Sequence, residues 1–115
     1  SCNKTVYVLP EYIFRKLIQI LKQLRAPGGC DWDRKQTHKS LLPYLIEETY
    51  EVVEAIENKN SEDLKEELGD LILHVLFQAE LSYEEGKFDI FDCLDGIVII
   101  FTKAFRLSCK YFKKK

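Results

Sequence analysis

The sequence predicts an all-α domain, an antiparallel helical bundle of about four helices. Apolar residues recur at helical spacing in successive segments, and turn-forming residues separate those segments. No segment has the alternating apolar and polar pattern of a convincing β-strand. The chain has 115 residues, of which 46% are apolar, with five glycines and three prolines. Such a composition is typical of one folded, core-forming domain, which we expect to span residues 1–115.

The N-terminal half divides into two predicted helices. The first covers residues 10–25, where a proline suits the first turn and apolar side chains recur every three or four positions. A Pro-Gly-Gly run at 27–29 ends this helix, and a polar loop is expected through residues 31–33. The second helix is expected over residues 41–57, followed by a short polar turn.

The C-terminal half contains two further predicted helices. The third covers residues 61–85, with Ser61 as a suitable N-cap. Gly69 lies inside this helix at a cost of about 1 kcal/mol relative to alanine, so we expect another helix or a ligand to approach closely there. The fourth helix is expected over residues 90–110, and residues 111–115 form a lysine-rich tail.

The composition also limits location and assembly. No stretch approaches the ~20 apolar residues that would span a membrane. The four cysteines form no C-x-x-C pair, so free thiols in a reducing, cytoplasmic compartment are expected. A helical domain of this length buries only a modest core, which favours a homodimer or a higher homo-oligomer.

Charge is unevenly distributed along the chain. The net charge is only −2, but ten acidic residues and two lysines lie between residues 47 and 70. An acidic block of this kind repels nucleic-acid phosphates, so we expect no nucleic-acid polymer as a partner. The same block is suited to binding cations.

Two pairs of carboxylates lie within the acidic block. Glu48 and Glu51 are three residues apart on the second predicted helix, and Glu67 and Asp70 are three apart on the third, so each pair shares a helix face. Folding the helices back about the turn at 58–61 brings the two pairs to similar heights. Apolar residues share these faces, which directs the carboxylates toward the packed side.

Three interpretations of this arrangement stay open. Converging carboxylates either take up protons, with raised pKa values, or bind a hard divalent cation such as Mg²⁺. Alternatively they form part of a solvated acidic face, as most glutamate-rich helical runs do. Four other glutamates are assigned to such a face: Glu54, Glu57, Glu62 and Glu66.

The acidic block contains an EExxE motif followed by an ExxD motif on the next predicted helix. Further distinctive runs are LRAPGGCDWD at 24–33, QTHKSL at 36–41, PYLIEETYE at 43–51 and EELGDL at 66–71. On these motifs the chain, from about Leu21 to Ile97, resembles the MazG family of nucleotide pyrophosphohydrolases, for which EExxE followed by ExxD is specific.

This resemblance implies a metal-dependent enzyme. It makes Glu48, Glu51, Glu67 and Asp70 the ligands of Mg²⁺, for which Mn²⁺ is a possible substitute, and Glu47 a helper to water or to a second ion. The implied activity is hydrolysis of a nucleoside triphosphate between the α- and β-phosphates, which releases the monophosphate and pyrophosphate. The implied fold is a helical bundle completed by dimerisation.

Residues outside the carboxylate motif are candidates for substrate binding. Trp32 either stacks on a nucleobase or packs its loop onto the first helix. Arg25 either meets the triphosphate or is a solvated surface charge. Many bacterial relatives have a basic R-R-H-P-H-V-F segment near the C-terminus that this chain lacks, so Lys103 and Arg106 are candidate replacements. His74 is either a partner to the metal site or a satisfied interior histidine.

That departure keeps other functions open. Many relatives are tandem proteins in which one half is weak or inactive, and this chain resembles the N-terminal half. The main alternative is therefore a catalytically weak or inactive helical interaction module. A divalent-cation-binding regulator without turnover is a third interpretation.

Overall fold

The computed structural model describes residues 9–103, which fold into five α-helices. They are α1 (Pro10–Arg25), α2 (Asp31–Lys35), α3 (Leu42–Glu57), α4 (Ser61–Glu84) and α5 (Ile90–Lys103). The described region contains no β-strand, so the predicted all-α fold class is confirmed. The predicted bounds of α1 agree with the structure, and those of α3 and α4 differ by one residue. Residues 104–110 of the last predicted helix and the tail at 111–115 lie outside the described region.

The predicted polar loop after α1 is wrong, because residues 31–35 form the short helix α2. Asp31 and Asp33 lie in its first turn, while Arg34 and Lys35 lie in its last turn. This order of charges is favourable for the helix dipole. A helix of five residues is too short to produce an apolar periodicity, so the pattern along the sequence did not reveal it.

A tight turn joins α3 to α4. Lys59 has a left-handed backbone with φ of 56°, and the amide of Asn60 donates to the carbonyl of Ala55 at 3.0 Å. Asn60, rather than the predicted Ser61, is the N-cap of α4. Its Oδ1 accepts from the amide of Asp63 at 3.1 Å, and its Nδ2 donates to the Asp63 carboxylate at 3.0 Å. The turn thereby fixes the register of the two helices.

The hydrophobic core lies around the C-terminal half of α4. It is formed by buried side chains of α1, of α4, of the start of α5 and of the residue that precedes α3: Leu21, Leu41, Leu76, Phe77, Ala79, Leu81 and Ile90. In the α3–α4 hairpin near its turn, Ala55 is the buried apolar residue. The N-terminal half of α4 and its partner α3 therefore extend away from the core.

The sequence predicts a close approach of another helix or of a ligand at Gly69 of α4. Within residues 9–103, no atom outside the local backbone of α4 lies within 4 Å of the position that a Cβ would take at Gly69. The close approach of another helix expected there is therefore wrong for this part of the chain.

None of the described helices combines the length and the apolar character needed to cross a bilayer.

Replacing the cap of α4 tests the turn. Asn60→Ala is expected to lower the free energy of unfolding by about 1 kcal/mol, because the Asp63 amide loses its acceptor. Ser61→Ala is the control and should change it by less than about 0.5 kcal/mol. Urea denaturation of the three proteins measures both effects. A larger loss for Ser61→Ala would contradict the observed cap.

Candidate metal centre

Three acidic side chains converge between α3 and α4. Glu48, Glu67 and Asp70 each offer one carboxylate oxygen, and these oxygens all lie within 4.8 Å of one another. Glu48 and Glu67 are half-buried, and Asp70 is exposed. The structure thus brings together three of the four metal ligands expected from the family resemblance. We call Glu48, Glu51, Glu67 and Asp70 the carboxylate cluster.

Glu51 adjoins this group of three. Its carboxyl lies within hydrogen-bonding reach of those of Glu48 and Glu67, and its charge acts on both. Glu47 is placed differently, because its side chain is exposed and it acts on Glu48 through its charge alone. Four carboxylates therefore form the cluster, and Glu47 lies at its solvent side.

Burial and mutual repulsion raise the pKa values in the cluster. Burial, followed by the contact with Glu51 and by the charges of Glu51, Glu48 and Asp70, raises the pKa of Glu67 to about 7. The pKa of Glu48 is also raised, first by burial and then by the charges of Glu51 and Asp70. Part of the cluster therefore holds protons near neutral pH when nothing else neutralises it.

Two oxygens of the cluster lack any partner. Oε1 of Glu48 and Oε1 of Glu67 are buried and receive no hydrogen bond. None of the ion pairs within residues 9–103 involves a cluster residue. Leaving buried carboxylate oxygens unpaired is costly, and oxygen donors of this kind are the ligands that Mg²⁺ prefers. The donor set therefore fits a hard divalent cation.

An apolar cavity of about 220 Å³ lies one helical turn from the cluster. Tyr44 precedes Glu48 by four residues on α3, and His74 follows Asp70 by four on the antiparallel α4, so both lie at the same side of the cluster. The rest of the lining comes from α1, from the short helix α2, from Leu41 and from Leu73 and Phe77 of α4. Tyr44 was not among the residues predicted from the sequence to form the site. Its position four residues before Glu48, on the same helix face, was the pattern that pointed to it.

Trp32 lies at the exposed edge of this cavity. Its ring makes an edge-to-face contact with Tyr44, at a centroid distance of 5.8 Å, and its side chain is half exposed. His74 also lines the cavity, and its Nδ1 is buried without a hydrogen-bond partner. The expectation of a fully satisfied interior histidine is therefore wrong for this atom.

Arg25 is placed away from the cluster. Its Nε and Nη2 donate to the two carboxylate oxygens of Glu84 at 2.7 and 2.8 Å. Glu84 follows Asp70 by fourteen residues, which is about 21 Å along α4. The contact with Glu84 is the main reason that the pKa of Arg25 is raised and that of Glu84 is lowered. The structure corrects both expectations for Arg25, since its guanidinium is neither a free phosphate ligand nor a solvated charge.

The two remaining candidates lie near the C-terminus. Lys103 is the last residue of α5 and is exposed. Arg106 lies outside the described residues.

Known proteins resemble this chain in sequence. The family described as "MazG nucleotide pyrophosphohydrolase domain" matches residues 36–102. The chain is 55% identical over 82 residues to the nucleoside triphosphate pyrophosphohydrolase/pyrophosphatase MazG of Thermotoga maritima, which covers 71% of this chain and 32% of that protein. It is 47% identical over 83 residues to the nucleoside triphosphate pyrophosphohydrolase of Escherichia coli K12, with coverages of 71% and 32%.

A third relative is longer. The uncharacterized protein YabN of Bacillus subtilis is 48% identical over 84 residues, which is 73% of this chain and 17% of YabN. The alignments therefore span about a third or less of the length of these curated relatives.

The raised pKa of Glu67 predicts how folding stability depends on pH. The folded protein retains a proton up to about pH 7, whereas the unfolded chain releases it near 4.5. This group therefore lowers the free energy of unfolding as the pH rises through that window. Because Glu67→Gln removes the effect, the variant should gain stability relative to the wild type between those pH values.

Urea denaturation in EDTA at several pH values measures this difference. Glu66→Gln, which removes an exposed charge from the same helix, is the control. Excess Mg²⁺ at about pH 8 should stabilise the wild type more than Glu67→Gln. A stability difference between Glu67→Gln and the wild type that stays constant from pH 4 to 8 would contradict this account.

Proposed function

The chain belongs to the MazG nucleotide pyrophosphohydrolase family, and we propose that it hydrolyses nucleoside triphosphates to the monophosphate and pyrophosphate in a Mg²⁺-dependent reaction. The observation that carries this proposal is the carboxylate cluster, with its two buried, unpartnered oxygens. A triphosphate is an anion that four carboxylates alone would repel. The cluster is suited to such a substrate only when a cation is bound.

The residues that would hold Mg²⁺ are Glu48, Glu67 and Asp70, with Glu51 beside them. Bound there, the ion would neutralise phosphate oxygens and lower the pKa of a water molecule. Mn²⁺ would serve as a substitute, since it also accepts carboxylate oxygens.

The protein's own side chains would orient the reaction around this cluster. Glu47 lies at the solvent side and would accept the proton of the attacking water on its carboxylate. Water would attack the α-phosphorus in line, and the bond from the α-phosphorus to the oxygen that bridges the α- and β-phosphates would break, so that this oxygen leaves with pyrophosphate. The raised pKa of Glu67 means that this carboxyl must lose its proton before it serves as a ligand.

The nucleoside would occupy the apolar cavity beside the cluster. Trp32 and Tyr44 offer aromatic surfaces there, and stacking on aromatic rings tolerates every base. A triphosphate bound at the cluster would reach this cavity with its nucleoside end, since the two sites are one helical turn apart. Lys103 and Arg106 stay our candidates for contacts to the phosphates.

We further propose a homodimer or higher homo-oligomer in the cytoplasm. Twenty-five large hydrophobic side chains of the described region are exposed, against eight buried hydrophobic residues. The residues of α5 from Ile97 to Phe101 are all apolar and exposed, whereas a helix that is apolar all round is ordinarily buried. A second copy would cover such a surface. The free thiols of Cys30 and Cys93 fit a reducing compartment.

Pyrophosphate release from a panel of triphosphates tests the activity. We expect pyrophosphate release with Mg²⁺ and none in excess EDTA. For Glu48→Gln or Asp70→Asn, kcat should fall about 100-fold or more, which is the loss typical of removing one preorganised electrostatic contact to the transition state. Glu66→Gln is the control and should keep wild-type activity. Turnover that survives in EDTA, or in both cluster variants, would reject the proposed ligands. Metal binding without any release would favour the interaction-module alternative.

Light scattering tests the assembly. We expect a mass of at least twice the 13.5 kDa of one chain. Ile97→Asp should lower it, because a buried charge would oppose association. Gln19→Asp places the same charge at an exposed polar position of α1 and should leave the mass unchanged. A wild-type protein that stays monomeric at working concentration would contradict the proposal.

A further inference from the structure

The guanidinium of Arg25 has partners on all three nitrogens. Nε and Nη2 donate to the two carboxylate oxygens of Glu84. Such a bidentate, charge-assisted pair is among the strong hydrogen bonds of proteins. Nη1 donates to the backbone carbonyls of Asp33 and Gln36. The Arg25 side chain is only 10% exposed. One residue of α1 thus joins α4 to the C-terminal end of α2.

The short helix α2 depends on such outside contacts. It has five residues, no side-chain cap at its N-terminus and no buried residue. A helix this short is unstable by itself. Of its last carbonyls, that of Asp33 accepts from the Gln36 amide at 3.3 Å, which leaves room for further donors at this end. Arg25 supplies a positive charge at this end, where the helix dipole is negative.

Trp32 is carried by α2 to the edge of the apolar cavity. Its other contacts are modest: an edge-to-face contact with Tyr44, and a hydrogen bond from the Gln36 side chain to the Trp32 carbonyl at 2.8 Å. Arg25 also lies 5.6 Å from the ring centroid of Phe77, which lines the same cavity. Arg25 therefore contacts both the helix that carries the indole and a side chain of the cavity that the indole borders.

We propose that Arg25 is a positioning residue, which fixes α2 against α4 and thereby holds Trp32 over the cavity that receives the nucleobase. The role in substrate binding rests on the proposed function, whereas the role in holding Trp32 does not. Arg25 lies far from the carboxylate cluster along α4. It therefore acts on binding of the base and leaves the metal and the chemical step unaffected.

Trp32 is the only tryptophan in the chain, so its fluorescence reports directly on α2. Arg25→Lys keeps the positive charge but loses the planar guanidinium, whose nitrogens donate to Glu84 and to the carbonyls of Asp33 and Gln36 at the same time. We expect acrylamide to quench Trp32 more strongly in Arg25→Lys than in the wild type, without nucleotide. Arg34→Lys is the matched control, because Arg34 is exposed on α2 and, among residues 9–103, its ion pair is with the exposed Asp31.

Kinetics and binding test the consequence for the substrate. KM for a triphosphate should rise about tenfold in Arg25→Lys, on the scale of one base–aromatic contact, while kcat stays within about twofold. Arg34→Lys should change neither constant. Mg²⁺ affinity, measured by calorimetry without nucleotide, should be the same in all three proteins.

Three results would overturn the proposal. They are unchanged quenching in Arg25→Lys, a fall in kcat with constant KM, and equal effects in Arg34→Lys. If Arg25→Lys fails to fold by circular dichroism, Glu84→Gln replaces it, because it removes the charge that holds the guanidinium and should produce a smaller shift of the same sign. If the wild type releases no pyrophosphate, the proposed function fails by itself, and quenching still tests the contact between Arg25 and α2.

Discussion

The carboxylates of Glu48, Glu51, Glu67 and Asp70 repel one another, and burial strengthens that repulsion. Packing of α3 against α4 holds Glu48, Glu67 and Asp70 close together, and two of their buried oxygens have no partner. Because no basic side chain of the described region neutralises them, a proton or a cation must do so. Without a cation, a proton on Glu67 reduces the negative charge, because the pKa of this carboxyl is raised to about 7. Under the proposed function, a divalent cation bound at the cluster would replace that proton.

The two halves of α4 have different roles. Its C-terminal half packs on α1 and α5 and forms the core, and two ion pairs to α1 reinforce it. In one of them, Lys22 reaches the Glu80 carboxylate at 2.9 Å and lies over the Tyr83 ring. The N-terminal half of α4 carries Glu67 and Asp70 of the cluster, and its residues do not belong to the hydrophobic core. This arrangement leaves the cluster open on the side where substrate, and a second copy of the chain, would approach.

The parts of this structure that the sequence predicted are those governed by local periodicity. The bounds of α1 followed from apolar spacing, and the common height of the two carboxylate pairs followed from their equal distances to the turn. The helix α2 was missed because five residues give no period, and Asn60 was missed because it stands beside Ser61, an equally good cap. The Arg25–Glu84 contact joins residues 59 positions apart, a distance at which sequence spacing carries no information.

We propose that the carboxylate cluster holds a hard divalent cation. Anomalous diffraction from crystals soaked in Mn²⁺ tests this proposal, because it locates the ion without any assumption about activity. We expect one strong anomalous peak between α3 and α4, within coordination distance of oxygens of Glu48, Glu67 and Asp70. A map without a peak there, with these carboxylates turned into solvent on separate sides of the bundle, would contradict it.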